Sequence, residues 1–177
     1  MAREPGLMEE DEGGDAACWA HLFEDDAGEA TMTTPLSEPA LATIVRAMGD
    51  GVVVADPQGR IAFWNAGAER IFGWSAAEAE GKTLDLIIPE RQRDAHWTGY
   101  RQVMATGRTK YGTDLLRVPA VHRNGERISI AFTVALLTGD DGRVESIAAI
   151  IRDETERWTE ERDLRRRLRD LEAAAGS

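Results

Sequence analysis

The sequence predicts an α+β fold in which a helix and two strands are followed by short helices, three further strands and a last helix. Residues 52–55 (VVVA) are a β-branched run that ends at a turn containing Pro and Gly, which is typical of a strand entering a hairpin. Residues 89–107 begin with a proline and end with a glycine, as helices often do. Residues 128–136 alternate apolar side chains with small or polar ones, which indicates a strand with one buried face.

The first helix leads into this hairpin. Ser37 is a favourable N-cap for a helix over residues 38–48, whose apolar side chains recur at helical spacing. After the strand at residues 52–55, the turn at residues 56–59 (DPQG) reverses the chain, and residues 60–65 form the returning strand.

Two short helices follow the hairpin. Asn65 is a candidate N-cap for the first of them, which ends at Gly73. Ser75 and Glu78 form the capping-box pattern at the start of the second, which ends at Gly81. A short apolar segment then leads to the helix that begins with a proline.

Three strands are predicted after Gly107. The first covers residues 110–121 and is interrupted by Pro119, since proline cannot donate to a strand ladder. The Asn-Gly pair at residues 124–125 is a strong hairpin signal and leads into the alternating strand. The last strand covers residues 144–151.

From Asp153 onward the pattern is helical, and we call this segment the exit helix. Leu164, Leu168 and Leu171 are spaced by four and three residues, which is typical of a coiled coil, although the pattern spans only about two heptads. Trp158 on the same helix is expected to pack on the sheet or across a dimer interface.

The net charge of −11 is concentrated at the N-terminus. Residues 1–30 contain ten acidic side chains and one basic side chain, and so carry nine of the eleven net negative charges. We predict that residues 1–35 form a disordered acidic tail. Within it, residues 17–23 (ACWAHLF) form an apolar patch around Trp19, which is either a short docking helix or an accidental cluster.

The composition argues against several function classes. An acidic chain lacks the basic face that a direct nucleic-acid partner requires. No apolar run approaches the ~18–20 residues that span a bilayer, and the N-terminus does not resemble a signal peptide. Cys18 is the only cysteine, which fits a reducing compartment. We therefore expect a soluble cytoplasmic protein without membrane contact.

No arrangement of residues in the sequence supports catalysis. His96 and His122 lie in different predicted elements, and no nucleophile motif accompanies either of them. The glycines at residues 49–51 precede a strand rather than a helix, unlike those of a phosphate-binding loop. The sequence therefore predicts a binding or regulatory module and not an enzyme.

His96 is the candidate binding residue. On its predicted helix, His96, Tyr100 and Val103 share one face, at positions i, i+4 and i+7. A histidine directed at the core is either a structural residue with a hydrogen-bond partner or a ligand to a bound group. The residues alone leave both interpretations open.

Five short phrases, taken in order, resemble the PAS sensor-domain family: residues 56–65 (DPQGRIAFWN), 68–74 (AERIFGW), 81–82 (GK), 122–125 (HRNG) and 152–155 (RDET). The resemblance covers roughly residues 38–153. It implies a five-stranded antiparallel sheet with helices over one face, and a cavity between them that holds a ligand or cofactor or stays empty. The expected organisation is a tail at 1–35, a PAS domain at 36–153 and a signalling helix at 154–177.

A narrower resemblance concerns His96. In the haem-binding PAS domains of rhizobial oxygen-sensor kinases, a proline lies seven residues before the haem-ligating histidine, and Ala-Thr-Gly closes the helix. Pro89 and His96 have this spacing and residues 104–107 (MATG) have this ending, which implies haem b with its iron bound to His96. Those domains also place an arginine on the next strand to hydrogen-bond oxygen. Leu116 occupies that position here, and Arg117 follows one residue later, on the opposite strand face.

The resemblance also separates this chain from the blue-light PAS relatives. Those relatives need a reactive cysteine on the helix that faces a flavin. The only cysteine here, Cys18, belongs to the tail, so we expect no flavin adduct.

Two functional hypotheses follow. In the first, the module senses a ligand and signals through Asp153 and Thr155, either of which can cap the exit helix. In the second, it is a ligand-free scaffold that docks on a partner. A homodimer through the helix at residues 37–48 and the exit helix is predicted, with a separate histidine kinase or transcription regulator as partner. The predicted cavity residues are His96, Tyr100, Val103, Met104, Leu116, Phe132 and Val134.

Overall fold

A computed structural model describes residues 35–109 and 114–175. The predicted acidic tail, with its Trp19 patch, lies outside the described residues. The helices are α1 (Glu38–Ala47), α2 (Ala66–Phe72), α3 (Ala76–Ala79), α4 (Arg93–Thr106) and α5 (Thr155–Ala175), with 3₁₀ turns at Leu84–Leu86 and Glu90–Gln92. The strands are β1 (Gly51–Ala55), β2 (Ile61–Trp64), β3 (Leu116–Val121), β4 (Arg127–Thr138) and β5 (Val144–Asp153).

The five strands form one sheet in the order β2-β1-β5-β4-β3, and every neighbouring pair is antiparallel. The predicted α+β fold with a five-stranded antiparallel sheet is therefore confirmed. The main core lies between the sheet and helices α2 and α3, where Ile61, Trp64 and Phe72 are almost completely buried. Burial of such large apolar side chains is the main source of stability in a domain of this size.

The β1–β2 hairpin owes its shape to the turn residues. The Asp56 carboxylate accepts hydrogen bonds from the N–H groups of Gln58 and Arg60, at 2.9 and 2.8 Å. Gly59 adopts a positive φ of 74°, and an added Cβ there would collide with the ring of Trp97 on α4. The glycine is thus needed both for the turn conformation and for the close approach of α4.

Asn65 joins three parts of the fold. Its Oδ1 accepts hydrogen bonds from the N–H groups of Val52 and Ala68, at 2.7 and 2.9 Å, and the second bond caps α2 as predicted. Its Nδ2 donates to the carbonyl oxygens of Val45 and Asp50, at 2.9 and 3.0 Å. The side chain therefore satisfies all its hydrogen-bonding capacity while only 2% exposed.

The predicted strand over residues 110–121 was wrong in its start and in its interruption. β3 begins at Leu116, residues 110–113 lie outside the described part of the chain, and Pro119 is within the strand. Pro119 is tolerated because β3 is an edge strand, so its missing N–H does not interrupt the sheet interior.

The predicted helix after Pro89 is divided. A 3₁₀ turn at Glu90–Gln92 precedes α4, which begins at Arg93. The predicted end is confirmed, since Gly107 caps α4 in the left-handed conformation with a φ of 64°.

The two terminal helices of the described region are poorly covered. No residue of α1 is buried, and Leu41 and Ile44 on this helix are each 48% exposed. Trp158 on α5 is 50% exposed, and the guanidinium of Arg162 lies over its ring. Among the described residues, no helix is both long and apolar enough to cross a membrane.

Candidate ligand cavity and exit-helix junction

A cavity of about 490 Å³ lies between α4 and the face of the sheet that α4 covers. This volume is within the range of sites that bind small molecules. Most of its wall is aliphatic, and, apart from Pro119, the residues that each strand contributes alternate along the strand and so share one face. The lining residues from the strands are Val53, Ala55, Leu116, Val118, Pro119, Ala120, Ile130, Phe132, Val134, Leu136, Ile147, Ala149 and Ile151.

Six of the seven predicted cavity residues line this space: His96, Tyr100, Val103, Leu116, Phe132 and Val134. Met104 does not line it, which corrects the prediction. Successive helical residues are separated by about 100°, so Met104 is turned away from the face that carries His96 and Val103.

Gln92 and Gly99 also line the cavity and were not predicted. Gln92 lies four residues before His96, a spacing that would have indicated its position. A Cβ added to Gly99 would meet nothing within 4 Å, so a larger side chain can be accommodated at this position.

His96 is the polar residue of most interest in the wall. Its ring lies 5.0 Å from the ring of Trp97 and 5.7 Å from that of Tyr100. Its Nδ1 atom is buried and has no hydrogen-bond partner within the described ranges. Burial lowers the pKa of His96, opposed only in part by the negative charge of Asp85, so the ring is neutral at neutral pH.

The two aromatic neighbours of His96 already have hydrogen-bond partners. Tyr100 donates its hydroxyl proton to the carbonyl oxygen of Asp56 at 2.6 Å, and burial raises the pKa of Tyr100 to about 12. Trp97 donates from Nε1 to the Asp85 carboxylate at 2.8 Å. These bonds fix both rings, so His96 is the member of the aromatic group that keeps a free ring nitrogen.

Leu116 and Arg117 lie on opposite faces of β3, as predicted. Leu116 lines the cavity, whereas the Arg117 guanidinium contacts the Glu154 carboxylate at 3.1 Å on the other side of the sheet. A strand of the cavity wall is therefore linked directly to the start of α5. No local sequence pattern indicates this contact, because its two residues are 37 positions apart.

The start of α5 is held on the sheet by several hydrogen bonds. The Asp153 carboxylate accepts from the Thr155 N–H at 2.8 Å, and the Thr155 hydroxyl accepts from the Ser129 N–H at 3.0 Å. The Glu154 N–H also donates to the carbonyl oxygen of Ser129 at 2.8 Å. Thr155 thus attaches α5 to β4, and Asp153 caps α5 from the end of β5.

A family model described as the PAS fold matches residues 45–158 of the chain. The chain belongs to the PAS fold family. The match confirms the resemblance that the sequence shows. The fold of this family serves in sensing and in protein interaction. No group of three or more histidine, cysteine or acidic side chains in the described part of this PAS protein could hold a metal ion.

Two curated relatives are sensor or kinase proteins. The sensor protein FixL of Bradyrhizobium diazoefficiens is 26% identical over 92% of this chain and 32% of its own length. The cell-division control histidine kinase PdhS of Brucella ovis is 28% identical over 76% of this chain and 13% of its own length. The chain therefore spans a third or less of the length of these relatives.

Solved structures agree on the fold. The PAS domain of a protein from Colwellia psychrerythraea has a TM-score of 0.58 and 22% sequence identity. The match covers 66% of this chain and 95% of that domain. This likeness supports the PAS architecture.

Proposed function

We propose that this PAS protein is a sensory module for signal transduction that binds a small ligand or cofactor in the cavity beneath α4. The observation that carries the proposal is a mostly aliphatic cavity with one free, neutral imidazole nitrogen in its wall. A buried polar atom without a partner costs free energy, which a ligand that pairs with it would recover.

The signal would leave the cavity through β3 and β4. A ligand against Leu116 moves the strand whose next residue, Arg117, holds Glu154 at the start of α5. Ser129 on β4 holds Thr155 in the same way. Small shifts of either strand would therefore change the angle at which α5 leaves the sheet, and with it the signal to a partner.

Haem b is the cofactor that the sequence resemblance implies, and the residues around His96 are compatible with it. A neutral imidazole is the form that binds iron, and His96 is neutral because of its burial. The apolar side chains of Phe132 and Val134 would cover the porphyrin. When bound, haem supplies an iron centre that takes a diatomic ligand. Leu116 offers no hydrogen bond to such a ligand, so we expect CO to be held better than oxygen.

An absorbance measurement tests this proposal. The full chain is mixed with haem, and the Soret band is compared between wild type, His96→Ala and His122→Ala. Ligation by His96 predicts a sharp stoichiometric band in wild type and His122→Ala and its loss in His96→Ala. His122 is a matched control because it lies in the β3–β4 turn, where its Nδ1 accepts from the Asn124 N–H.

Gly99→Leu tests for a cavity ligand of any kind. The new side chain would extend into the open space beside Gly99 while leaving His96 in place. A small molecule that co-purifies with wild type and is absent from Gly99→Leu would support a cavity ligand even without a Soret band. The proposal fails if native mass spectrometry finds no bound molecule in wild type and haem binds without stoichiometry.

A ligand-free scaffold is the second candidate function, and the exposed apolar side chains of α1 and α5 favour it. In this case the module would dimerise through both helices and dock on a separate histidine kinase or transcription regulator in the cytoplasm. An empty cavity in protein purified from cells, together with a stable homodimer, would favour the scaffold over the sensor.

A further inference from the structure

A groove of about 520 Å³ lies between the outer face of the sheet and the first turns of α5, and we call it the outer groove. Its walls come from β3, β4 and α5, and its side chains from β3 include Arg117, which lies on the side of the sheet away from the ligand cavity. Val118 and Pro119 line both spaces, so β3 is a wall that the outer groove shares with the cavity.

The outer groove is basic, whereas the chain as a whole carries a net charge of −11. Four arginines and two glutamates line it, which leaves a formal charge of +2. These residues are Arg117, Arg127, Arg157, Arg162, Glu154 and Glu161. A local basic surface on an otherwise acidic chain favours a partner that presents negative charge to this surface alone.

Two of the four arginines are available to such a partner. Arg117 and Arg157 are already paired with the glutamates of the groove, at 3.1 to 3.4 Å. Arg127 makes no ion pair with any residue that the structure describes. Arg162 contacts only its neighbour Asp163, at 3.5 Å, and an exposed pair of this kind is weak. Arg127 and Arg162 can therefore receive carboxylates from another molecule.

Trp158 adds an aromatic surface beside these arginines. It lines the outer groove and is 50% exposed, and the guanidinium of Arg162 lies 4.9 Å from the centre of its ring. Tryptophan and arginine are the side chains that contribute most often to binding energy in protein interfaces. The outer groove is therefore suited to an apolar side chain that is flanked by acidic ones.

The two glutamates of the groove favour a peptide over a phosphate compound. A phosphate group offers only negatively charged acceptor oxygens, which the carboxylates of Glu154 and Glu161 repel. A peptide brings backbone N–H donors as well as carboxylates, so it can pair with the glutamates and with the arginines at once.

We propose that the outer groove binds an acidic segment of a partner protein, with carboxylates on Arg127 and Arg162 and an apolar side chain against Trp158. This inference rests on the proposed signalling to a partner and adds the contact surface and the chemistry of that partner. A segment bound there contacts β3 and the start of α5 together. These are the elements whose relative position we expect a cavity ligand to change, so binding at the two sites is coupled in both directions.

A labelled synthetic peptide tests the charge contacts. The peptide EDFDE is titrated with the full chain at physiological ionic strength, and binding is followed by fluorescence anisotropy. Wild type should bind it saturably, and Arg127→Glu with Arg162→Glu should weaken binding by about tenfold, because two attractive contacts become repulsive.

Arg101→Glu with Arg169→Glu is the matched control. Both arginines are exposed, lie outside the lining of the outer groove and form no ion pair within the described ranges. The control makes the same change in net charge, and salt screens distant charges, so its affinity should stay within about twofold of wild type. Equal losses in the two double variants would show a general charge effect and overturn the proposal.

The contact with Trp158 is tested by a second peptide, EDADE. Wild type should bind it about fivefold more weakly than EDFDE, because the aromatic contact is lost. Trp158→Ala should bind the two peptides equally. A preference for EDFDE that persists in Trp158→Ala would place the apolar side chain elsewhere and overturn the proposed arrangement.

Three further outcomes would overturn the proposal. EDFDE fails to bind wild type even at millimolar concentration, or ATP binds the outer groove more tightly than the peptide does, which would assign the groove to a phosphate compound. In the third, Arg127→Glu with Arg162→Glu dissociates a wild-type dimer in analytical ultracentrifugation, which would assign the groove to a second copy of the chain. None of these measurements depends on a cavity ligand, so failure of the groove and failure of the sensory proposal are distinguishable.

Discussion

Asn65 and His96 show two opposite ways to place a polar side chain in this domain. Asn65 is buried beside β1 and α2, where four backbone groups satisfy its amide. His96 is half-buried at the cavity, and its Nδ1 is paired with nothing that the structure describes. A polar group with every partner in place stabilises one conformation, whereas a group with a missing partner is suited to binding. The difference separates the structural region of the fold from the candidate sensing region.

Asn65→Ala is the largest expected change. It removes four hydrogen bonds and leaves the N–H groups of Val52 and Ala68 without a side-chain acceptor, so we expect a loss of about 3 kcal/mol or more in the free energy of unfolding. Urea denaturation followed by circular dichroism measures it. Asn124→Ala is the control, because Asn124 lies in an exposed turn with local bonds, and its loss should be below about 1 kcal/mol. Equal losses for both variants would contradict the comparison.

The position of Asn65 shows what the sequence could and could not predict. Its capping of α2, the Ser75–Glu78 pattern and the αL ending at Gly107 depend on residues within one turn, and each was predicted. The bonds of Asn65 to Val45 and Val52 join positions 20 and 13 residues away, and no local pattern encodes them.

The same distinction applies to the cavity. The helical face of His96, Tyr100 and Val103 followed from periodicity, and the strand face of Phe132 and Val134 followed from alternation. Its remaining wall comes from strands that only the folded topology brings together. The contact between Arg117 and Glu154 belongs to this second kind.

The pH dependence of the free energy of unfolding should show an effect of His96 that is smaller than that of Asn65→Ala. Burial holds the pKa of folded His96 below its ordinary value of 6.5, so the unfolded chain binds more protons just below that pH. The contribution of His96 to stability is therefore fully present above about pH 6.5 and is lost as the pH falls toward the folded pKa. His96→Gln should lose less stability than wild type between about pH 7.5 and pH 5.5 in urea titrations. Parallel curves for the two proteins would show that His96 does not titrate differently on folding.

Arg152→Ala should have the smallest effect. Arg152 contacts the Asp50 carboxylate at 2.7 Å and lowers the pKa of Asp50, but 68% of its side chain is exposed and salt screens the pair. We expect a loss of about 0–1 kcal/mol, measured by thermal unfolding at low and high salt. A loss as large as that of Asn65→Ala would show that this surface pair is as important as a buried one.

The pairing of β1 with β5 has a consequence for how such a domain is connected. Gly51 at the start of β1 is paired with Ile151 near the end of β5, so the chain enters and leaves the sheet on adjacent strands about 5 Å apart. A unit whose entrance and exit adjoin can be inserted into or removed from a longer polypeptide with little change in the spacing of the segments on either side. The pairing of β1 with β5 thus allows this domain to be exchanged for another within a longer chain while the segments on either side keep their spacing.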